Sequence, residues 1–212
     1  MADPAAAAPL HLVGVLPAAA RPLLTEGSDP AAGQLTWIEA NGLAAALLPA
    51  DLAPSLTLTW QRSVSRLAPL LPVLRGQVDS ATSAAAWLER EAAALHWLLE
   101  DVAGRSEWIV RAYRDPTLPA VPLPEDAEAG SLAEWVWQRL RLPAEDLCPL
   151  PLEPGELPEG QMLHGALLIP DQPTERWPGH LAQVQAEVAA VGVRITATGP
   201  DPVWHFCPLV VS

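Results

Sequence analysis

The sequence contains no lysine: all 12 of its basic residues are arginine, against 25 acidic ones, for a net charge of −13 over 212 residues. A phosphate-cradling GxxxxGK loop is therefore excluded outright, because its lysine has no candidate. Nucleic acid is disfavoured as a partner, since phosphates need clustered lysine and arginine. Acidity on this scale favours solubility and repels anionic lipid surfaces. The absence of lysine beside abundant Ala, Leu and Pro reads as GC-rich coding rather than chemistry. No apolar run reaches the roughly 20 residues of a bilayer span. The longest, such as GLAAALLPA, are cut by proline. The opening MADPAAAAPL lacks the positive first region of a secretory signal. Residues 1–9 are therefore expected to be a disordered leader, and the cytoplasm is the expected compartment.

Cysteine is equally scarce. Cys148 and Cys207 stand apart, with no CxxC and no nearby histidine pair, which predicts two unpaired thiols. His11, His96, His164, His180 and His205 are scattered singly. His96 and Glu100 lie one helical turn apart, a spacing zinc sites use, but a lone pair at that spacing is mostly a surface contact. Neither GxGxxG nor GxSxG occurs. Carboxylates gather in loops at 125–128, 145–146, 153–159 and 171–175, where solvation is their ordinary role. No catalytic, cofactor-binding or metal-ligating residue is predicted.

What the chain does have is patterning. LHLVGVLPA (10–18) reads as a strand. QLTWIEANGLAAALLPA carries Asn41-Gly42 between two apolar runs, which predicts a hairpin of 34–40 and 43–48 around a type I′ turn. A short helix is expected within 55–68 and a strand over 70–78. From Ser80 to Val102, the residues Ala84, Leu88, Ala92, Leu95, Leu99 and Val102 form one helical stripe. Asp79 or Ser80 can cap its start, and Gly104 its end. SEWIVRAY (106–113) alternates as a strand returning along that helix. Ser131 and Glu134 stand at capping-box spacing before a helix running to about Leu142. The stretch 143–160 reads as a proline-rich loop, 162–169 as a strand, 181–192 as a helix and 193–199 as a last strand.

This order predicts an α+β protein of two small domains, each an antiparallel sheet with helices packed on one face in a ferredoxin-like manner, plus an extended C-terminal tail. The expected divisions are an N-terminal domain at 10–114, a proline-rich acidic linker at 115–130, a C-terminal domain at 131–199 and a tail at 200–212. Nine tryptophans against one tyrosine and one phenylalanine are the compositional excess. Trp87, Trp108 and Trp135 fit core faces. Trp97 and Trp137 fall off the main stripes of their helices, and Trp177 and Trp204 sit beside prolines in expected loops. Such residues serve either as interface anchors or as caps on small satellite clusters.

Taken in order, these segments resemble the GvpF/GvpL family of gas vesicle accessory proteins across most of the chain. LHLVGVLPA looks like that family's opening strand and WIEANGLAAALLPAD like its following hairpin. LLPVLRGQVDS is similar to its LPxRFGxxF segment, with Arg75 and Gly76 at the core of the match. GRSEWIVRAYRD is similar to its Glu-Trp strand leading to a basic residue, here Glu107, Trp108 and Arg111. TGPDPVWHF resembles the family's GPWPPYxF signature: Gly199, Pro200, Pro202 and Phe206 match, and Trp204 stands where a tyrosine is expected. Asp201 and Val203 depart from that signature, the arginine of the middle segment is displaced by one position, and 115–160 is short for the helical insertion expected there. The pattern is that of a divergent, shortened member.

The resemblance implies a non-enzymatic protein without cofactors that assists gas vesicle formation. Its implied partners are the small hydrophobic shell protein and other accessory proteins. The tail then has a role: Pro200 and Pro202 hold an extended path that delivers Trp204 and Phe206 to a fixed place. There they either clasp the protein itself or face a partner. The rival reading is a small ligand-binding module or enzyme on ferredoxin-like domains with a tryptophan-lined pocket.

Overall fold

The structure, a computed structural model, describes residues 10–24, 32–52, 54–114, 131–152, 160–172, 176–207 and 209–210. The expected leader, the proline-rich linker at 115–130 and the acidic stretch 153–159 lie outside the described residues. The chain forms two compact units, one made of Met1–Ala103 together with Pro202–Ser212, the other of Gly104–Asp201.

The first unit opens with β1 (Leu10–Pro17) and a 3-10 turn at Ala18–Ala20 that runs into the one-turn α1 (Arg21–Leu24). It continues through β2 (Thr36–Ala40), β3 (Leu43–Pro49), α2 (Pro54–Ser65), β4 (Leu71–Arg75), β5 (Gln77–Val78) and α3 (Ala81–Val102). The hairpin forms where the sequence places it. Asn41 and Gly42 take φ values of 51° and 76°, the two positive angles a type I′ turn requires, and Ala40 pairs with Leu43.

Every residue of β3 from Leu43 to Leu48 is buried, the mark of a strand covered on both faces. On one face Trp60 and Val64 of α2 pack with Val13, Ala44, Ala46 and Leu48. The alternate residues Leu43, Ala45 and Leu47 point the other way, toward α3, which runs across β1, β2, β3 and β4. The first unit therefore adds a second helix layer to the expected single one. A capping box holds the start of α3: Ser83 N–H donates to Ser80 Oγ at 3.1 Å and Ser80 N–H to Ser83 Oγ at 3.0 Å.

The second unit contains β6 (Arg105–Arg114), α4 (Leu132–Leu140), β7 (Asp146–Pro149), β8 (Gln161–Pro170), α5 (Arg176–Ala189) and β9 (Val193–Asp201). Its sheet runs β7-β8-β6-β9 with every pairing antiparallel. Trp135 and Leu140 of α4 and Trp177 and Val188 of α5 pack with Val110, Leu167 and Ile195. The first sheet contains the run β4-β1-β3-β2, so both units thread the same β-α-β-β-α-β connection into one ferredoxin-like strand order.

Three elements differ from the sequence reading. The strand at 105–114 joins the second sheet, because it pairs with β8 and β9 and its Val110 and Ala112 belong to the α4/α5 core; the division therefore falls at Gly104, not at the proline-rich stretch. Within the loop expected at 143–160, Leu147 and Cys148 pair with Leu167 and Ala166, which makes β7. The last helix starts at Arg176, so Trp177 is helical and buried rather than in a loop. The chain then returns to the first unit at Pro202, where β10 (Leu209–Val210) lies parallel to β4.

Candidate functional site

The residues singled out in the sequence fall into two groups, one in each unit. In the second unit β9 ends beside a bulge in β6, where the register shifts between Glu107 and Ile109. Gly199 lies against that bulge. A Cβ there would stand 2.7 Å from Trp108 Cδ2 and 2.8 Å from the Glu107 carbonyl oxygen, so only glycine fits. Pro200 follows through a cis peptide, and Asp201 pairs with Glu107. Glu107 is fully buried, and Trp108 meets Trp177 edge to face at 5.9 Å between centroids. Arg111 is not part of this corner. It stands mid-strand, opposite His164 on one side and Thr196 on the other.

In the first unit the tail is tied down from Pro202 onward. Pro202 and Val203 are buried. The Trp204 indole N–H donates to Gln61 Oε1 at 2.8 Å. Gln61, fully buried on α2, in turn donates to the carbonyls of Val13 at 2.7 Å and Val73 at 3.2 Å. The chemistry explains the choice of residue. β1 bulges at Val13, between the pairs Leu12–Leu47 and Gly14–Ala46, and the next residue, Gly14, stands opposite Pro72 of β4. A side-chain amide can donate to both strand carbonyls at once and has one acceptor left, which Trp204 takes. Arg62, next on the helix, places its guanidinium carbon 5.2 Å above the Trp204 ring.

Beyond Trp204, Phe206 is half-buried and His205 exposed. Leu209 and Val210 pair with Val73 and Arg75. Gly76 accepts the Leu12 N–H at 2.6 Å, and a Cβ on it would lie 2.8 Å from the Leu12 carbonyl oxygen. The structure thus gathers Trp204, Arg75 and Gly76 around β1 and β4, with Phe206 on the same tail. Sequence reasoning missed Gln61 and Arg62. The available signal was a glutamine within the α2 stripe that runs through Trp60 and Val64.

Both cysteines are free. Cys207 is buried, and burial, followed by the Asp101 carboxylate, pushes its thiol up from 9.0 to about 11. Below the unfolded thiol's titration near ~8.5, folding is unaffected. Above it the unfolded chain ionises while the folded one does not, so stability is expected to fall by up to about 3 kcal/mol by pH ~11. Half-buried Cys148 is expected to react first with iodoacetamide at pH 8, with Cys207 lagging at least ~10-fold by mass spectrometry. Equal rates would contradict the burial of Cys207.

Among the described residues no cluster of three or more His, Cys, Asp or Glu is placed to hold a metal. His96 Nε2 meets the Asn41 carbonyl at 2.8 Å, pinning α3 to the hairpin turn. A small hollow in the second unit is lined by Pro143, Ile169, Pro170, Gln172, Arg176 and Trp177. Its walls bring together no acid and base. No helix among the described residues is long and apolar enough to cross a membrane.

Two solved structures share this architecture almost from end to end. The crystal structure of the gas vesicle protein GvpF from Anabaena sp. PCC7120 superposes with a TM-score of 0.66 and 15% identity, over 96% of this chain and 100% of that one. GvpF from Microcystis aeruginosa gives 0.67 and 14%, over 95% and 100%. The fold is that of GvpF. No family model matches the chain, and no curated protein matches it by sequence. At such low identity the likeness to GvpF is one of fold. It extends over both ferredoxin-like units.

Proposed function

We propose that this chain is a non-enzymatic accessory protein of gas vesicle formation that binds the small hydrophobic shell protein in the cytoplasm, at the growing vesicle, and assists its assembly. The observation that carries the reading is the GvpF fold over nearly the whole chain. The order of the sequence motifs supports it, from the opening strand to the Gly199–Phe206 tail. A shell subunit that polymerises through apolar strands needs shielding beforehand, because exposed apolar strands aggregate. An acidic partner keeps such a complex soluble. Other gas vesicle accessory proteins are further partners in this reading.

Within it, Gly199, Glu107, Trp108, Arg75 and Gly76 shape the backbone, Arg111 stands ready on its strand, and Pro200 and Pro202 set the path of the tail. Trp204 anchors the tail through Gln61, which leaves the half-exposed ring of Phe206 for the shell protein. The test is co-purification with the shell protein of the same organism. Wild type is expected to retain it, Phe206→Ala to retain at least ~5-fold less with an unchanged melting curve, and the Trp204→Ala, Phe206→Ala double variant to retain none. A wild-type chain that recovers no shell protein, both being soluble, would overturn direct shell binding.

A further inference from the structure

The remaining unexplained feature is the outer face of α3. All nine tryptophans are described. Trp97 alone among them is exposed, at 64% of its surface. A tryptophan left in water is unusual for a residue that favours buried, well-packed positions. Its neighbours on the same face are small: Ala93 and Ala94, both exposed, lie one turn before it. The face is bounded by Arg90 on one side and Asp101 on the other. Arg90, Ala94, Trp97 and Asp101 follow steps of four, three and four, so they form one straight stripe.

That stripe is self-complementary under a two-fold axis. With the axis midway between Ala94 and Trp97 and a second α3 running antiparallel, each Trp97 meets the alanines of the other helix. Each Arg90 then faces the other copy's Asp101. A large knob, a shallow hole and a pair of opposite charges recur in the reversed order that an isologous contact demands. Arg90 is held near its own helix by Glu91 at 2.8 Å through Nε, and its side chain is 62% exposed, so its terminal nitrogens can reach outward. Glu89 and Glu100 fall on one flank of the seam, at its wet rim, where like charges are screened. The charge order argues against a generic apolar partner, which would match the tryptophan but not the Arg90/Asp101 alternation.

We infer that α3 pairs antiparallel with the α3 of a second copy of this chain, Trp97 seating on Ala93 and Ala94 and Arg90 facing Asp101. The inference stands apart from the proposed function. A single helix pair buries less than the roughly 1,600 Å² of a standard interface, so the dimer is a weak one that fills as concentration rises. It is expected to dissociate in the range of about 10–100 μM.

Sedimentation equilibrium of the full chain from about 1 to 500 μM tests it. Wild type is expected to shift from monomer to dimer, and Trp97→Ala to weaken the association at least ~10-fold. Arg90→Asp alone and Asp101→Arg alone are each expected to abolish it over that range, and the double exchange to restore it to within about 3-fold of wild type. Because Asp101 also acts on Cys207, Ala94→Glu, at an exposed position, provides an independent disruption with an unchanged melting curve. A chain that stays monomeric throughout would overturn the inference. So would a dimer indifferent to Trp97→Ala and Ala94→Glu, or a charge exchange that fails to restore association in a folded protein.

Discussion

Gln61→Leu is expected to destabilise the protein by about 3–5 kcal/mol and to lift the tail from the first unit. Gln61 is fully buried and makes three hydrogen bonds, two donated to the Val13 and Val73 carbonyls and one accepted from Trp204. Leucine keeps the volume and removes all three. The two strand carbonyls then lose the amide that donates to them in an apolar layer, each loss costing about 1–3 kcal/mol. The Trp204 N–H is less costly to orphan, because Trp204 is half-exposed and water can reach it. Gln61→Glu is expected to be as damaging, since a carboxylate accepts where the site needs donors. Urea denaturation gives the stability. Release of the tail is read independently as faster alkylation of Cys207, which lies three residues beyond Trp204. A loss below about 1 kcal/mol with Cys207 still protected would show that the amide is not what holds the tail.

Gly199→Ala is expected to destabilise the second unit by about 2–4 kcal/mol. The added methyl meets the Trp108 ring at 2.7 Å and the Glu107 carbonyl oxygen at 2.8 Å. The ring can turn aside, but the carbonyl is part of the β6–β9 pairing, and moving it opens the ladder. Hydrogen exchange should therefore accelerate first at the β6 and β9 amides around Glu107 and Asp201. Gly179→Ala is the matched control. Nothing lies within 4 Å of a Cβ at that helical position, and alanine there should be neutral or stabilising by up to about 1 kcal/mol. If both substitutions behave alike, Gly199 owes its place to something other than the close approach of β6.

The parts of this fold that are legible in the sequence are those set by local chemistry. Asn41-Gly42 fixes a hairpin because positive φ angles are costly elsewhere, and the stripe of α3 is long enough for its period to be unmistakable. The missed elements depend on distant partners. β7 is four residues with two charged or cyclic ends, and its strand character comes from β8 alone. β10 has two residues and exists only along β4. The strand at 105–114 reads correctly as a strand, but no local signal says which sheet receives it. Trp177 looks like a loop residue because Pro178 and Gly179 follow, yet proline in a helix's first turn lacks only an N–H that has no partner there anyway. In the candidate site, the prolines and aromatics of the tail are legible and Gln61 is not. A polar residue gains its meaning from the carbonyls of Val13 and Val73 and the indole of Trp204, which meet only in three dimensions.

The order in which the units occur along the chain bears on how the protein is made. The second unit is continuous, whereas the first is split by it and resumes only at Pro202. A ribosome delivers β1 to α3, then the whole of the second unit, and only afterwards the segment that completes the first. All the strands of the second unit emerge before that segment does. Gln61 waits for a partner 143 residues downstream, and until that partner arrives the outer edge of β4 stands open, as an unpaired strand edge that invites other chains. The nascent protein thus passes through a stage in which its own first sheet is the unfinished surface, and the segment from Pro202 onward is the one that ends it.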